Sequence, residues 1–102
     1  VHVLLSFGAL RRFTHGRLME IGEDTTPSLL PFVERWLASG AVPALDEQLA
    51  QAKKMGLRLY ACPAAMAALG IALSDLPPEV DGPMGLTSFL QLARAAVLNW
   101  YI

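Results

Sequence analysis

The segment "GLRLYACPAAMAALG" constrains the fold more than any other part of the chain. It reads as a short apolar strand, Leu57 to Ala61, running directly into Cys62 and Pro63. Proline is favoured at the first position of a helix, where its fixed φ is pre-set and its missing N–H would have had no partner. The alanine-rich stretch after it has high helix propensity, and Gly70 stands where such a helix stops. A strand–turn–helix unit of this kind is the building block of a parallel α/β sheet. Cys62 is therefore predicted at the carboxyl end of a strand and the start of a helix.

Two readings of that cysteine stand side by side. The positive end of a helix dipole favours thiolate, the nucleophilic form of the side chain. A lone cysteine in an apolar chain also behaves as a small buried hydrophobe. In open α/β sheets ligands bind beyond the carboxyl ends of the strands, and Cys62 falls at that edge.

The remaining elements follow from periodicity and breakers. Val1 to Phe7 is apolar and predicts a buried strand ending at Gly8, with "ALRRF" as a helical turn. Residues 14–26 show no period and predict a long loop. Pro31 starts a helix with Phe32, Val33, Trp36 and Leu37 on one face and Gly40 as terminator. A second helix runs from Pro43 to Met55, with Leu45, Leu49 and Ala52 as its apolar stripe. Asp46 and Glu47 in its first turn and Lys53 and Lys54 in its last match the dipole, and Gly56 caps it. After the Cys62 unit, "SDLPPEVDGPMG" is turn-rich, with Ser74 as a cap and Val80 in a brief strand. Thr87 or Ser88 caps a last helix burying Phe89, Leu90, Ala93 and Ala96. The chain closes on "VLNWYI", read as an aromatic strand.

Composition excludes several function classes. At 102 residues with a formal charge of −1, the chain is a single domain over residues 1–102, with no basic patch for nucleic acid. A single cysteine rules out an intrachain disulfide and a multi-thiolate zinc site, so a reducing cytoplasm is the expected location. The charge-free run Leu59 to Leu73 is too short to span a bilayer and is interrupted by Pro63 and Gly70, so no integral membrane segment is expected. No cofactor-binding signature is complete: "DGPMGLTS" lacks the lysine of a phosphate loop and the spacing of a dinucleotide fingerprint. His2 reads as a strand residue and His15 as a loop residue near Arg11, Arg12 and Arg17. Met55, Met66 and Met84 read as core filler. An apolar content of 54% exceeds what so small a monomer buries. A homo-oligomer is therefore expected, with the Phe32–Leu37 helix or the segment around Trp100 and Tyr101 in the interface.

With these residues in place, the run from Ala44 to Ala93 resembles the DsrE/DsrF-like family, in particular its branch labelled peroxiredoxin-like. The shared order is a helix with a late glycine (Gly56), an "AC" pair (Ala61, Cys62), a methionine (Met66) and a glycine (Gly70). An acidic "DL" turn follows (Asp75, Leu76), then Val80, Gly85 and a helix start resembling Ser88, Phe89 and Leu90. The likeness covers residues 28–102 and, more loosely, the opening strand with Phe7 and Gly8. It implies a small three-layer flavodoxin-like sandwich with a mostly parallel sheet, commonly oligomeric. Relatives carry sulfur as a persulfide at the position of Cys62 and pass it between donor and acceptor proteins.

The resemblance thus implies Cys62 as the sulfur-bearing residue, with Ala64 and Ala65 backbone N–H groups stabilising it and no cofactor. Phe7, Gly8, Met66 and Gly85 are the pocket candidates. The chain departs from the family pattern in two ways. Roughly 30 residues, an N-terminal strand and helix, are expected ahead of the segment matching Val1. "CPAAM" also replaces the hydroxyl often found shortly after the cysteine. Peroxidase activity is not implied, because no thioredoxin-fold peroxidase motif is present.

Overall fold

The computed structural model describes residues 1–14, 17–21 and 25–100. Three parallel strands, β1 (His2–Leu5), β2 (Arg58–Ala61) and β3 (Gly82–Pro83), form a sheet of order β1-β2-β3. Between them run α1 (Phe7–Arg12), a 3-10 turn (Arg17–Met19), α2 (Leu30–Ala38), α3 (Leu45–Lys54) and α4 (Pro63–Leu69). A second 3-10 turn (Leu73–Asp75) precedes β3, and α5 (Leu86–Ala93) follows it. This is a mixed α/β architecture on a parallel sheet, consistent with a small flavodoxin-like fold.

The register pairs Val3 with Leu59 and Leu5 with Ala61, so these four side chains share one face of the sheet. The core lies on that face. Leu5 and Ala61 pack with Leu10 of α1 and with Ala65 and Met66 of α4. Val3, Phe13, Cys62, Ile71, Leu76 and Val80 are partly buried against this cluster. The opposite face carries His2 and Tyr60, whose rings stack at 5.9 Å with the imidazole Nδ1 3.0 Å from the phenol oxygen.

Local chemistry accounts for the helices. Pro63 stands at the start of α4, and Gly70 ends it in the left-handed conformation at φ 66°, which glycine adopts without a Cβ clash. In α3, Asp46 and Glu47 occupy the first turn and Lys53 and Lys54 the last, each opposite in sign to the dipole end it sits on.

Several expectations change on contact with the structure. Phe7 and Gly8 belong to α1 rather than to a strand, because the chain turns at Phe7 with φ 39°. The cap of α5 is Gly85, not Thr87 or Ser88, and Phe89 and Ala93 are only half-buried while Leu90 and Ala96 are exposed. Asp75, not Ser74, ties its 3-10 turn by accepting the Ala72 N–H at 2.8 Å. Val80 precedes the strand, which is confined to Gly82–Pro83. Residues 97–100 form no strand, and Tyr101 lies outside the described residues. Met55 is 85% exposed and so fills no core. No residue of α2 is buried: Phe32 and Trp36 remain 60% and 49% exposed.

One unforeseen residue fastens the sheet. The Asp81 carboxylate accepts hydrogen bonds from Lys53 Nζ at the end of α3, from Arg58 Nη1 (3.1 Å) and from the Leu59 N–H (2.8 Å). Its own N–H donates to the Leu59 carbonyl at 2.8 Å. The Lys53 and Leu59 bonds lead in lowering its pKa from 3.8 to about 2, against the opposing effect of burial, with Arg58 helping. A depressed carboxylate stabilises the fold fully above its unfolded value and loses that contribution as pH falls from 3.8 to about 2. Wild type is therefore expected to lose stability over that interval, and Asp81→Asn to be less stable by about 1 kcal/mol at neutral pH after allowance for solvent screening. Urea melts at pH 7 and below pH 4 check this; an unchanged acid limb in Asp81→Asn contradicts it.

Candidate functional site: the carboxyl edge of the sheet

The three strands point their carboxyl ends to one edge, and each is followed at once by a helix. Cys62 is the residue before α4, in extended conformation at φ −72° and ψ 117°. Two backbone bonds hold this turn. The Cys62 N–H donates to the Leu5 carbonyl at 2.9 Å, and the Met84 N–H donates to the Ala61 carbonyl at 3.0 Å. The ends of β1 and β3 are thereby pinned on either side of the cysteine.

The first bond of the α4 ladder runs from the Met66 N–H to the Cys62 carbonyl at 2.9 Å. Ala64 and Ala65 lie ahead of it, where the N–H groups of a helix have no intrahelical acceptor. Ala64 is exposed and Ala65 buried. Cys62 is half-buried, is not in a disulfide and makes no side-chain capping hydrogen bond.

Of the pocket candidates, Phe7, Gly8 and Gly85 all fall at this edge: Phe7 and Gly8 open α1 after β1, and Gly85 caps α5 after β3. Met66 sits one turn into α4 as a buried member of the core, beneath the edge rather than on it. His15 lies outside the described residues, and His2 stands in β1 on the sheet face stacked with Tyr60.

A separate groove of about 450 Å³ lies between α1 and the end of α4, lined by Arg11, Thr14, Arg17, Leu69, Gly70 and Asp75. It does not include Cys62. Thr14 is buried there, its Oγ1 donating to the Arg11 carbonyl at 2.8 Å. Sequence periodicity gave no hint of it, because Thr14 opens the stretch read as a loop. Among the described residues, no three His, Cys, Asp or Glu side chains are grouped to hold a metal ion, and no helix is long and apolar enough to cross a membrane.

The profile of the DsrE/DsrF/DrsH-like family matches residues 18–101, most of the chain and all of the segment that carries the Cys62 turn. The chain belongs to the DsrE/DsrF/DrsH-like family. No curated protein sequence matches it. Membership points in general terms to sulfur relay, the work typical of the DsrE-like family. In this DsrE-like chain the single thiol lies at a strand end, directly before the helix that follows.

Proposed function

We propose that this DsrE-like protein is a cytoplasmic sulfur carrier that holds a persulfide on Cys62. The observation that supports it is the placement of the single, half-buried cysteine at the strand-to-helix turn of α4, in a chain of this family. In the proposed reaction the Cys62 thiolate attacks the outer sulfur of a donor persulfide. The new S–S bond forms as the donor's S–S bond breaks, and the donor leaves as a thiolate. An acceptor thiolate then attacks the outer sulfur of Cys62–S–SH and releases the Cys62 thiolate. The exchange needs no external oxidant, since the sulfane sulfur is passed on at the same oxidation level. The N–H groups of Ala64 and Ala65 would steady the negative charge on the terminal sulfur.

Native mass spectrometry before and after incubation with a persulfide donor tests the reading. A gain of one sulfur atom, removable by cyanide, is the expected result. No adduct with any of several donors would sink it. The rival reading is a non-catalytic binding module in which Cys62 only lines a pocket, favoured by the packing of Cys62 against the Leu5–Ala61 core. Alkylation separates the two: a carrier thiol reacts with iodoacetamide faster than a free cysteine peptide does, a pocket-lining one more slowly.

The protein is further proposed to act as a homo-oligomer. Phe32 and Trp36 of α2 are exposed in the single chain, as is Trp100 of the last segment. Because Trp36 is outside the core, Trp36→Glu is expected to dissociate the assembly without altering far-UV circular dichroism. A clean monomer of wild type in sedimentation at high micromolar concentration contradicts the assembly itself.

A further inference from the structure

Charge is distributed unevenly between the two ends of the sheet. At the amino end Lys53, Arg58 and Asp81 form a connected ionic cluster. At the carboxyl end, the segments Val3–Leu10, Leu59–Ser74 and Gly82–Ala93, which carry all three strand ends and the helix starts after them, contain no charged residue. A small anionic sulfur donor or a carboxylate-bearing thiol would find no cation among those residues to hold it.

Apolar side chains stand exposed at that edge. Phe7 lies two residues past Leu5, whose carbonyl receives the Cys62 N–H, and is 58% exposed. Leu86 lies two residues past Met84, whose N–H reaches the Ala61 carbonyl, and is equally exposed. Since β2 is the central strand, these two residues follow the strands on either side of the one that ends at the cysteine turn.

Phe7 is also the single non-glycine residue with positive φ among the described residues, at 39°. A bulky aromatic in that region is strained, and the conformation turns the chain from β1 into α1 directly beside the cysteine strand. Strain and exposure together are costs that burial of the ring in this chain's own core does not offset.

We infer that Phe7 is a specificity-determining contact of the Cys62 site, selecting partners whose reacting sulfur lies in an uncharged, apolar peptide segment. The inference rests on the sulfur-carrier reading for its biological meaning, and it is testable without it. Contact with an apolar segment removes part of the Phe7 ring from water, whereas a charged segment must be stripped of water against residues 3–10, 59–74 and 82–93, which supply no opposite charge.

The test uses the full chain and two synthetic peptides alike except around their cysteine, one flanked by leucine and phenylalanine, the other by glutamates. Each peptide is presented as a mixed disulfide with an aryl thiol. The Cys62 thiolate attacks the peptide sulfur, a Cys62–peptide disulfide forms, and the aryl thiolate leaves with the electron pair and is read by absorbance. Rates are divided by those of a free cysteine peptide with the same reagents.

Wild type is expected to prefer the apolar peptide by about tenfold, at low and at high salt. Phe7→Gly and Phe7→Asn, both of which tolerate positive φ, bring that ratio close to one while melting cooperatively, and Phe7→Leu keeps most of it. A wild-type ratio near one, or an undiminished ratio in both Phe7→Gly and Phe7→Asn, overturns the assignment. Sulfur loading is measured separately on the same samples. A chain that shows the preference but never gains sulfur refutes the carrier reading alone; a chain that gains sulfur without the preference refutes the role of Phe7 alone.

Discussion

Serine in place of Cys62 is expected to eliminate sulfur loading while leaving the protein folded. The chain has no other thiol, so no second site can hold a persulfide. The fold should tolerate the change for reasons specific to this position. Cys62 is half-buried, makes no side-chain capping hydrogen bond, and occupies the N-cap of α4. Serine is among the best N-cap residues, because its hydroxyl oxygen accepts an N–H from the first turn. The variant is therefore expected to be as stable as wild type or more stable, by up to about 1 kcal/mol. Mass spectrometry after donor treatment and a urea melt on the same sample check both halves. Cyanide-labile sulfur persisting in Cys62→Ser would remove Cys62 from the proposal altogether.

The largest structural effect is expected at Leu10. It is 0% exposed and joins α1 to Leu5, Ala61, Ala65 and Met66. Truncation to alanine removes its transfer free energy and leaves a void that two short helices and two strands close only in part, which costs about 3 kcal/mol. For a domain of this size that is a large share of total stability, so Leu10→Ala should be partly unfolded at 37 °C or melt far earlier. Leu10→Met, which conserves volume, should cost under about 1.5 kcal/mol. The same truncation at Leu90, which is exposed on α5, should barely move the urea midpoint. Equal midpoint shifts at the two leucines would show that the core is not where Leu5 and Leu10 place it.

The contrast between these positions bears on what a sequence of this kind reveals. The strand–Cys62–α4 unit was legible because its signals are local: Pro63 starts the helix, Gly70 ends it, and no distant contact is needed to interpret either. The same holds for α3, whose charges match its dipole within ten residues. What was not legible depends on partners far along the chain. The third strand sits at Gly82–Pro83 because Asp81 is held by Lys53 and Arg58, some 28 and 23 residues away. Thr14 is buried and lines a groove with Leu69 and Gly70, more than 50 residues on, and nothing in its own neighbourhood marks it. The amphipathic pattern of α2 identified an apolar face correctly, but periodicity cannot say what that face meets, and in the single chain Phe32 and Trp36 stay exposed. The aromatic residues of the last segment suggested a strand because they suit a pleated surface, yet Trp100 finds no strand to pair with. At the candidate site, Cys62 and its place at the sheet edge could be read from sequence; the turn at Phe7 could not, since a positive φ at phenylalanine has no propensity signature.

The brevity of β3 has a consequence for how the sheet can grow. A strand edge recruits other chains through a row of outward N–H and C=O groups. The β3 edge is two residues long, and one of them, Pro83, has no N–H to offer. The β1 edge is four residues of unbroken strand without proline. Among the described residues, extension of this sheet is thus directional: hydrogen bonding of a further strand, whatever its source, is directed to the β1 side, while the β3 side is self-terminating.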